Sequence, residues 1–262
     1  MALPGQARGE LRHEASQALE AEPWESSRAI YRIAAALPPV ERAYALIRFG
    51  IFRTKFLALM NLVLPDEGRL LDVGCGFGLF SVYFALTSSR RFIEGVDPDP
   101  RRVEMARRVA AAVGVADRVR YRVGTAEALP LGQPYDGVYM LDVLHHLHRD
   151  QQVPLLHRLR RLVAPGGTLL LKDVTTDALL KLRFTEMLDR LMVGADEPLS
   201  YRHHAEWTAM LRRLGFRVRA VRVPDVLPYP HVVLLARRPL AASGLFAEQR
   251  ADDLAGDVGQ AK

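Results

Sequence analysis

The stretch Leu71-Asp72-Val73-Gly74-Cys75-Gly76-Phe77-Gly78 decides how this chain is read. A short apolar run, Arg69–Val73, ends in three glycines at alternate positions. Such glycines let the backbone leave a strand sharply while a ligand packs against it, because a side chain there would take up the ligand's volume. The spacing is not that of a dinucleotide fingerprint, whose third glycine would stand where this chain has Leu79. Asp72, two residues ahead of Gly74, would repel a pyrophosphate and would suit a ligand bearing an ammonium group.

Outward from this turn, strands and helices alternate. A helical segment runs to Thr87, followed by a strand at Arg91–Asp97, a helix at Pro100–Val113 ended by Gly114, and a strand at Arg118–Val123. Tyr135–Leu141 reads as the next strand, then a helix from Arg149 to Val163 that stops at Pro165-Gly166-Gly167, then a strand at Thr168–Asp173. Alternation with short turns predicts a parallel sheet covered on both faces. Further on, one or two helices after Asp177, a loop near Gly194–Ser200, a helix at His204–Leu214 and two apolar runs, Gly215–Val223 and His231–Ala236, complete the pattern. Pro224, Pro228 and Pro230 separate those two runs, which are expected to pair as an antiparallel edge.

The N-terminal side differs. Residues 1–25 read as weakly structured, and residues 26–64 as a helical cap made of Ser26–Ala36 and Pro39–Val63, broken at Pro38-Pro39. The second helix has a broad apolar surface (Tyr44, Ile47, Ile51, Phe52, Phe56, Leu59, Met60, Val63) interrupted by Arg42, Arg48, Arg53 and Lys55. Three roles stay open for it: a lid over a binding site, a helix packed on the main body, or a membrane-surface helix. Residues 65–238 form the main domain, and 239–262, rich in Ala, Gly and Asp, read as a disordered tail.

Composition narrows the class. With 262 residues, 49% hydrophobic and 25% charged, the chain can bury an ordinary globular core without staples. Cys75 is its one cysteine, so neither an intramolecular disulfide nor a CxxC zinc cluster can form, and no metal is expected. Met1–Glu10 lack an apolar stretch and no run approaches 18 apolar residues, so neither a leader nor a spanning helix is expected and the compartment expected is the cytoplasm. The net charge of +6 invites a nucleic-acid reading. Arginine supplies nearly all of it, however, and the arginines spread along helices beside acids, as Arg101, Arg102, Arg107 and Arg108 do around Glu104.

Asp97 ends the strand next to the glycine turn, 23 residues beyond Gly74. A carboxylate there can accept from both hydroxyls of a ribose; alternatively, Asp97-Pro98-Asp99-Pro100 is a turn whose aspartate caps the following helix. With Leu71–Gly78, Gly95–Pro100 (GVDPDP), Gly124–Pro130 (GTAEALP), Tyr135–Leu147 (YDGVYMLDVLHHL) and Val163–Asp173 (VAPGGTLLLKD) in this order, residues 66–240 resemble the class I methyltransferase superfamily, most closely its small-molecule branch. The resemblance implies an α/β doubly wound sheet of seven strands in the order 3-2-1-4-5-7-6, strand seven antiparallel, and an enzyme that uses S-adenosylmethionine. It also implies cofactor roles: Asp72 and the turn Gly74, Cys75, Gly76, Gly78 at the methionine moiety, Asp97 with Pro98 at the ribose, Thr125, Ala126 and Glu127 at the adenine, and Asp142 beneath the cofactor. Relatives often carry aspartate where Thr125 stands, so the adenine amino group is expected to find a main-chain carbonyl, Glu127 or water instead.

The acceptor is the least legible part. Methyl displacement from a sulfonium needs positioning and desolvation, and a base only where the nucleophile is a poorly acidic hydroxyl. His145 and His146 follow the fourth strand and Asp173 ends the fifth, so the topology brings His145 and Asp173 together at the carboxyl edge. A carboxylate on one imidazole nitrogen orients the ring and raises its basicity, as in some sugar and natural-product O-methyltransferases of the family. The expectation is therefore methyl transfer to an oxygen of a small-molecule acceptor, with His145 and Asp173 catalytic; the alternative is that the double histidine only packs beneath the cofactor. His203-His204 is read as opening a solvated helix and Trp207 as core, while Tyr201, Tyr229 and His231 face the same edge without a fixed role. Three rivals remain: a lipid or quinone methyltransferase with peripheral membrane contact through residues 47–64, a nucleic-acid methyltransferase, and a non-catalytic adenosylmethionine-binding or scaffold protein. The second lacks an Asn/Asp-Pro-Pro-aromatic loop, since Asp142-Val143-Leu144-His145 stands there, and Cys75 is committed to the turn rather than to base chemistry. The oligomeric state is not legible.

Overall fold

The computed structural model describes residues 23–176, 199–222 and 231–240. Two helices open it, α1 (Pro23–Ala35) and α2 (Pro39–Val63). Then follow β1 (Gly68–Val73), α3 (Leu79–Thr87), β2 (Arg91–Asp97), α4 (Pro100–Ala112), β3 (Val119–Val123) and β4 (Tyr135–Leu141). The rest is α5 (Arg149–Leu162), β5 (Val163–Val174), α6 (His204–Arg213), β6 (Arg217–Arg222) and β7 (His231–Arg237). The sheet order is β3-β2-β1-β4-β5-β7-β6, parallel except for β7, which is antiparallel to both neighbours. This is the order that the resemblance implied.

Two local expectations are corrected. α1 begins at Pro23 rather than Ser26, with proline on its first turn, where the missing N–H has no helical partner to lose. β5 begins at Val163, so Pro165-Gly166-Gly167 is not a loop before the strand: Val163 pairs with Tyr135, the register shifts, and pairing resumes at Gly137 with Thr168. The surplus residues bulge out of the strand instead of ending it. β6 and β7 pair antiparallel at the end of the sheet, as expected, with β7 lying between β5 and β6. The reading of residues 177–198, 223–230 and 241–262 falls outside the described residues.

Two apolar clusters sandwich the sheet. One gathers α1–α4 residues such as Ile33, Phe52, Phe84 and Val109 with β1 and β2 side chains, and the other gathers α5 and α6 residues such as Leu156, Leu159, Trp207 and Leu211 with β4, β5 and β7. α2 packs on the main body, one of the three roles left open for it. Phe49, Phe52, Phe56, Leu57 and Met60 are buried, with Phe52 against Phe80 of α3 at 4.4 Å between ring centroids; each such side chain contributes about 1.5–3 kcal/mol of burial. Arg42 donates to the carbonyls of Ala34 and Leu37 (2.9 Å each), closing the α1–α2 corner. The same helix also turns Tyr44, Arg48 and Ile51 into the cavity described next.

Candidate active site

Parallel register brings the carboxyl ends of β1, β2, β4 and β5 to one edge, beside the start of β7: Val73 pairs with Val96, Leu141 with Lys172, and Val174 with His231. Over this edge lies a cavity of about 470 Å³ under α2, within the roughly 300–1,000 Å³ usual for small-molecule sites. Its floor is Asp72, the glycine turn, Asp97, Pro98 and Asp142, and its other walls include Tyr44, Ile51, Phe77, His145, His146, Leu147 and His231.

The glycines do different work. A Cβ on Gly76, which has φ of +53°, would meet nothing within 4 Å and would stand in the cavity. A Cβ on Gly78 would instead run into Tyr121 and Ala106, so that glycine lets the turn sit down on β3 and α4. Asp97 holds the turn: its Oδ2 accepts from the Gly76 amide (2.8 Å) and its Oδ1 from the Asp99 amide (3.0 Å). Asp99, not Asp97, caps α4, accepting from the Arg101 amide at 2.8 Å. Each Asp97 oxygen keeps a second lone pair for a ligand hydroxyl.

Asp72 is buried and accepts from the Ser81 hydroxyl (2.5 Å). Burial pushes its carboxyl up to about 7, against the pull of the Ser81 and Tyr139 hydroxyls. The Cys75 thiol is driven well above its ordinary range by burial, with the Asp72 and Asp97 carboxylates adding to the effect. The turn Thr125, Ala126, Glu127 is not among the cavity walls. Thr125 and Glu127 are exposed and Ala126 is buried; just before the turn, the Gly124 amide donates to the Asp97 carbonyl (3.0 Å).

Asp142 has a left-handed backbone (φ 57°), a conformation that carries strain outside glycine and that asparagine and aspartate tolerate best. Lys172 of β5 donates to both its oxygens (2.6 and 2.7 Å), and Arg48 of α2 pairs with Oδ2 at 3.0 Å. Burial pushes this carboxyl up, but Lys172 and Arg48, reinforced by His231 and His145, more than offset it and hold it well below the usual carboxylate range. The sequence did not single out Arg48 or Lys172 as site residues. The signals were there: a charge in an apolar helix face, and a lysine inside the buried run Leu169–Val174.

His145 and Asp173 meet, both buried, with Nδ1 and Oδ1 2.5 Å apart. The Val174 amide also donates to Asp173 Oδ1 (2.7 Å). The His146 ring lies against that of His145 (4.1 Å between centroids), and burial, then His145, lowers its pKa to about 4. Tyr201 stacks on the His145 ring, with 5.5 Å between centroids. His203 caps α6, its Nδ1 accepting from the Ala205 amide (3.2 Å), and Trp207 is core. Tyr229 lies outside the described residues.

The chain matches the family model of a methyltransferase domain over residues 44–221. A ubiquinone biosynthesis O-methyltransferase of Paramagnetospirillum magneticum is 32% identical over 181 residues, 66% of this chain and 71% of that protein. One of Cereibacter sphaeroides is 38% identical over 109 residues, 41% of this chain, so the chain spans only 42% of that relative's length. Among solved structures, the apo S-adenosylmethionine-dependent methyltransferase SibL is 26% identical with a TM-score of 0.57, covering 78% of this chain and 60% of that one. The cofactor that goes with this family, S-adenosylmethionine, fits what the cavity offers: an open cradle at Gly76, a buried carboxyl at Asp72 to face an ammonium, and Asp97 at the neighbouring strand end. By family model, relatives and fold, the chain belongs to the class I S-adenosylmethionine-dependent methyltransferases.

Proposed function

We propose that this protein transfers a methyl group to an oxygen of a small-molecule acceptor, with His145 as the base and Asp173 as its orienting partner. The observation that carries the reading is the buried 2.5 Å contact between His145 Nδ1 and Asp173 Oδ1 on the wall of the cavity that the glycine turn opens. S-adenosylmethionine supplies a sulfonium methyl already activated toward displacement. Asp97 would hold its ribose, and Asp72 with the Gly74–Gly78 turn its methionine moiety and ammonium, while Tyr44, Ile51, Leu147 and Val174 keep the acceptor side apolar and short of water. A carboxylate can only accept, so Asp173 fixes the Nδ1–H tautomer and places the basic lone pair of His145 on Nε2. His145 takes the proton of the acceptor hydroxyl as the new oxygen–carbon bond forms, a contribution of typically 10²–10⁴-fold. The experiment is transfer of radiolabelled methyl into fractionated small-molecule extract, followed by identification of the labelled product. An O-methyl ether or ester supports the reading, and an N- or C-methyl product refutes it.

A second reading has its own observation. Val40, Leu46 and Ile47 stand exposed on α2, the helix that also supplies Tyr44, Arg48 and Ile51 to the cavity. A lipid- or quinone-like acceptor met at a membrane surface would use that face, although no helix among the described residues is long and apolar enough to cross a membrane. Sedimentation with phosphatidylglycerol vesicles, lost in Leu46→Ser/Ile47→Ser, would favour it.

A further inference from the structure

Gln152, near the start of α5, is wholly buried yet lies outside the cavity walls. Its amide nitrogen donates to the carbonyls of Leu144 (3.0 Å), Leu147 (3.2 Å) and Ser200 (2.9 Å), and its oxygen accepts from Arg202 Nε (2.6 Å). Arg202 is itself buried and anchored: it pairs with Glu206 (3.1 Å), donates to the Arg149 carbonyl (3.2 Å) and lies 5.4 Å over the Trp207 ring. One side-chain amide therefore joins three segments: the loop 144–147, the first turn of α5 and the strand-like stretch 199–202.

What these segments hold in common is His145. The Ser200 amide donates to the His145 carbonyl (2.7 Å), and Tyr201 lies face to face with the His145 imidazole, 18° from parallel. The loop 144–147 is a single turn of 3₁₀ helix, too short to fix a ring by its own hydrogen bonds. A filled core would need only an apolar side chain at 152; a buried amide with all its groups engaged fixes one arrangement of the chain.

We propose that Gln152 and Arg202 are positioning residues for methyl transfer, a node that locks the His145 loop so that the imidazole stays on Asp173 and faces the cavity. The proposal rests on the reading of His145 as the base. Loss of the node leaves Asp72, Asp97 and the glycine turn untouched, because they belong to β1, β2 and the connection from β1 to α3. A misplacement on the order of 1 Å at a catalytic group is worth up to about 10²-fold in rate.

The test measures labelled-methyl transfer into the accepting extract fraction, together with S-adenosylhomocysteine affinity by calorimetry, for Gln152→Leu in the wild-type and His145→Ala backgrounds. Expected is a loss of kcat of about tenfold or more in the wild-type background with an altered acidic limb of the pH–rate profile, affinity within about threefold, and a loss of less than about threefold once His145 is gone. Gln152→Glu keeps the oxygen facing Arg202 but removes the donors, and it carries the same test should the leucine variant fail to fold. Unchanged turnover, or an equal loss in both backgrounds, overturns the positioning role while leaving the base reading intact. A His145→Ala enzyme of nearly full activity overturns the base reading and this proposal with it.

Discussion

Replacing Lys172 by methionine removes one charge and keeps most of the apolar volume. Lys172 is 2% exposed and donates to both oxygens of Asp142, whose side chain is 9% exposed. Taking away one partner of a buried pair costs about 3–5 kcal/mol; because Arg48 stays on Oδ2, the lower end, about 3 kcal/mol, is expected. That corresponds to a fall in Tm of roughly 6–12 °C for a domain of this size. The sign with pH follows from the balance between burial and the cations around Asp142, which tips towards burial when Lys172 is removed. In the wild type the Asp142 carboxyl is held below its unfolded value, so its contribution is intact above that value and is lost only as pH falls below the usual carboxylate range. In the variant the carboxyl titrates higher than in the wild type, so the deficit is full at neutral pH and shrinks as pH falls through the carboxylate range. Urea unfolding at pH 7 and pH 3 reads this directly: the deficit relative to wild type is larger at pH 7. A deficit no larger than that of the exposed control Arg101→Met, or one equal at both pH values, refutes the assigned role of the pair.

Other perturbations separate the parts of the site. Asp97→Ala should weaken S-adenosylmethionine binding about tenfold or more, since a lost acceptor for buried hydroxyls is worth roughly 1–3 kcal/mol; unchanged calorimetric affinity removes the ribose assignment. Gly76→Val should abolish binding, because its side chain would fill the cradle, while the far-ultraviolet spectrum stays that of the wild type; normal binding would mean the turn is not the cofactor turn. Asp72, with its carboxyl pushed up to about 7, should make the ligand-free protein less stable as pH rises through that value and should make binding of an ammonium-bearing ligand tighter over the same range. Asp72→Asn should flatten both dependences in thermal melts and titrations; a persisting pH dependence points to another group.

How far the sequence reaches is set by range. The glycine turn, the strand ends and Asp97 are written in contiguous residues, so period and turn chemistry expose them. His145 and Asp173 are 28 residues apart, but parallel register makes their meeting foreseeable once strands four and five are neighbours. Arg48 and Lys172 are different, because what makes them site residues is a third element, Asp142, contributed from a strained turn. Gln152 is harder still: near a helix start it looks like any polar residue, and only the fold shows three carbonyls converging on its amide. The β5 boundary was missed for a local reason, since Pro165-Gly166-Gly167 spells a turn whether it ends a helix or bulges a strand.

The central claim is that His145 removes the acceptor's proton, and comparing His145→Ala with the wild type tests it most directly. Turnover across pH and S-adenosylmethionine affinity are measured on the same preparations. The expected result is a 10²–10⁴-fold lower kcat, loss of the acidic limb of the pH–rate profile, affinity within a few-fold of wild type, and little further loss on adding Asp173→Asn. Nearly full activity in His145→Ala with an unchanged pH profile would contradict the account and would leave alignment and desolvation as the protein's whole contribution.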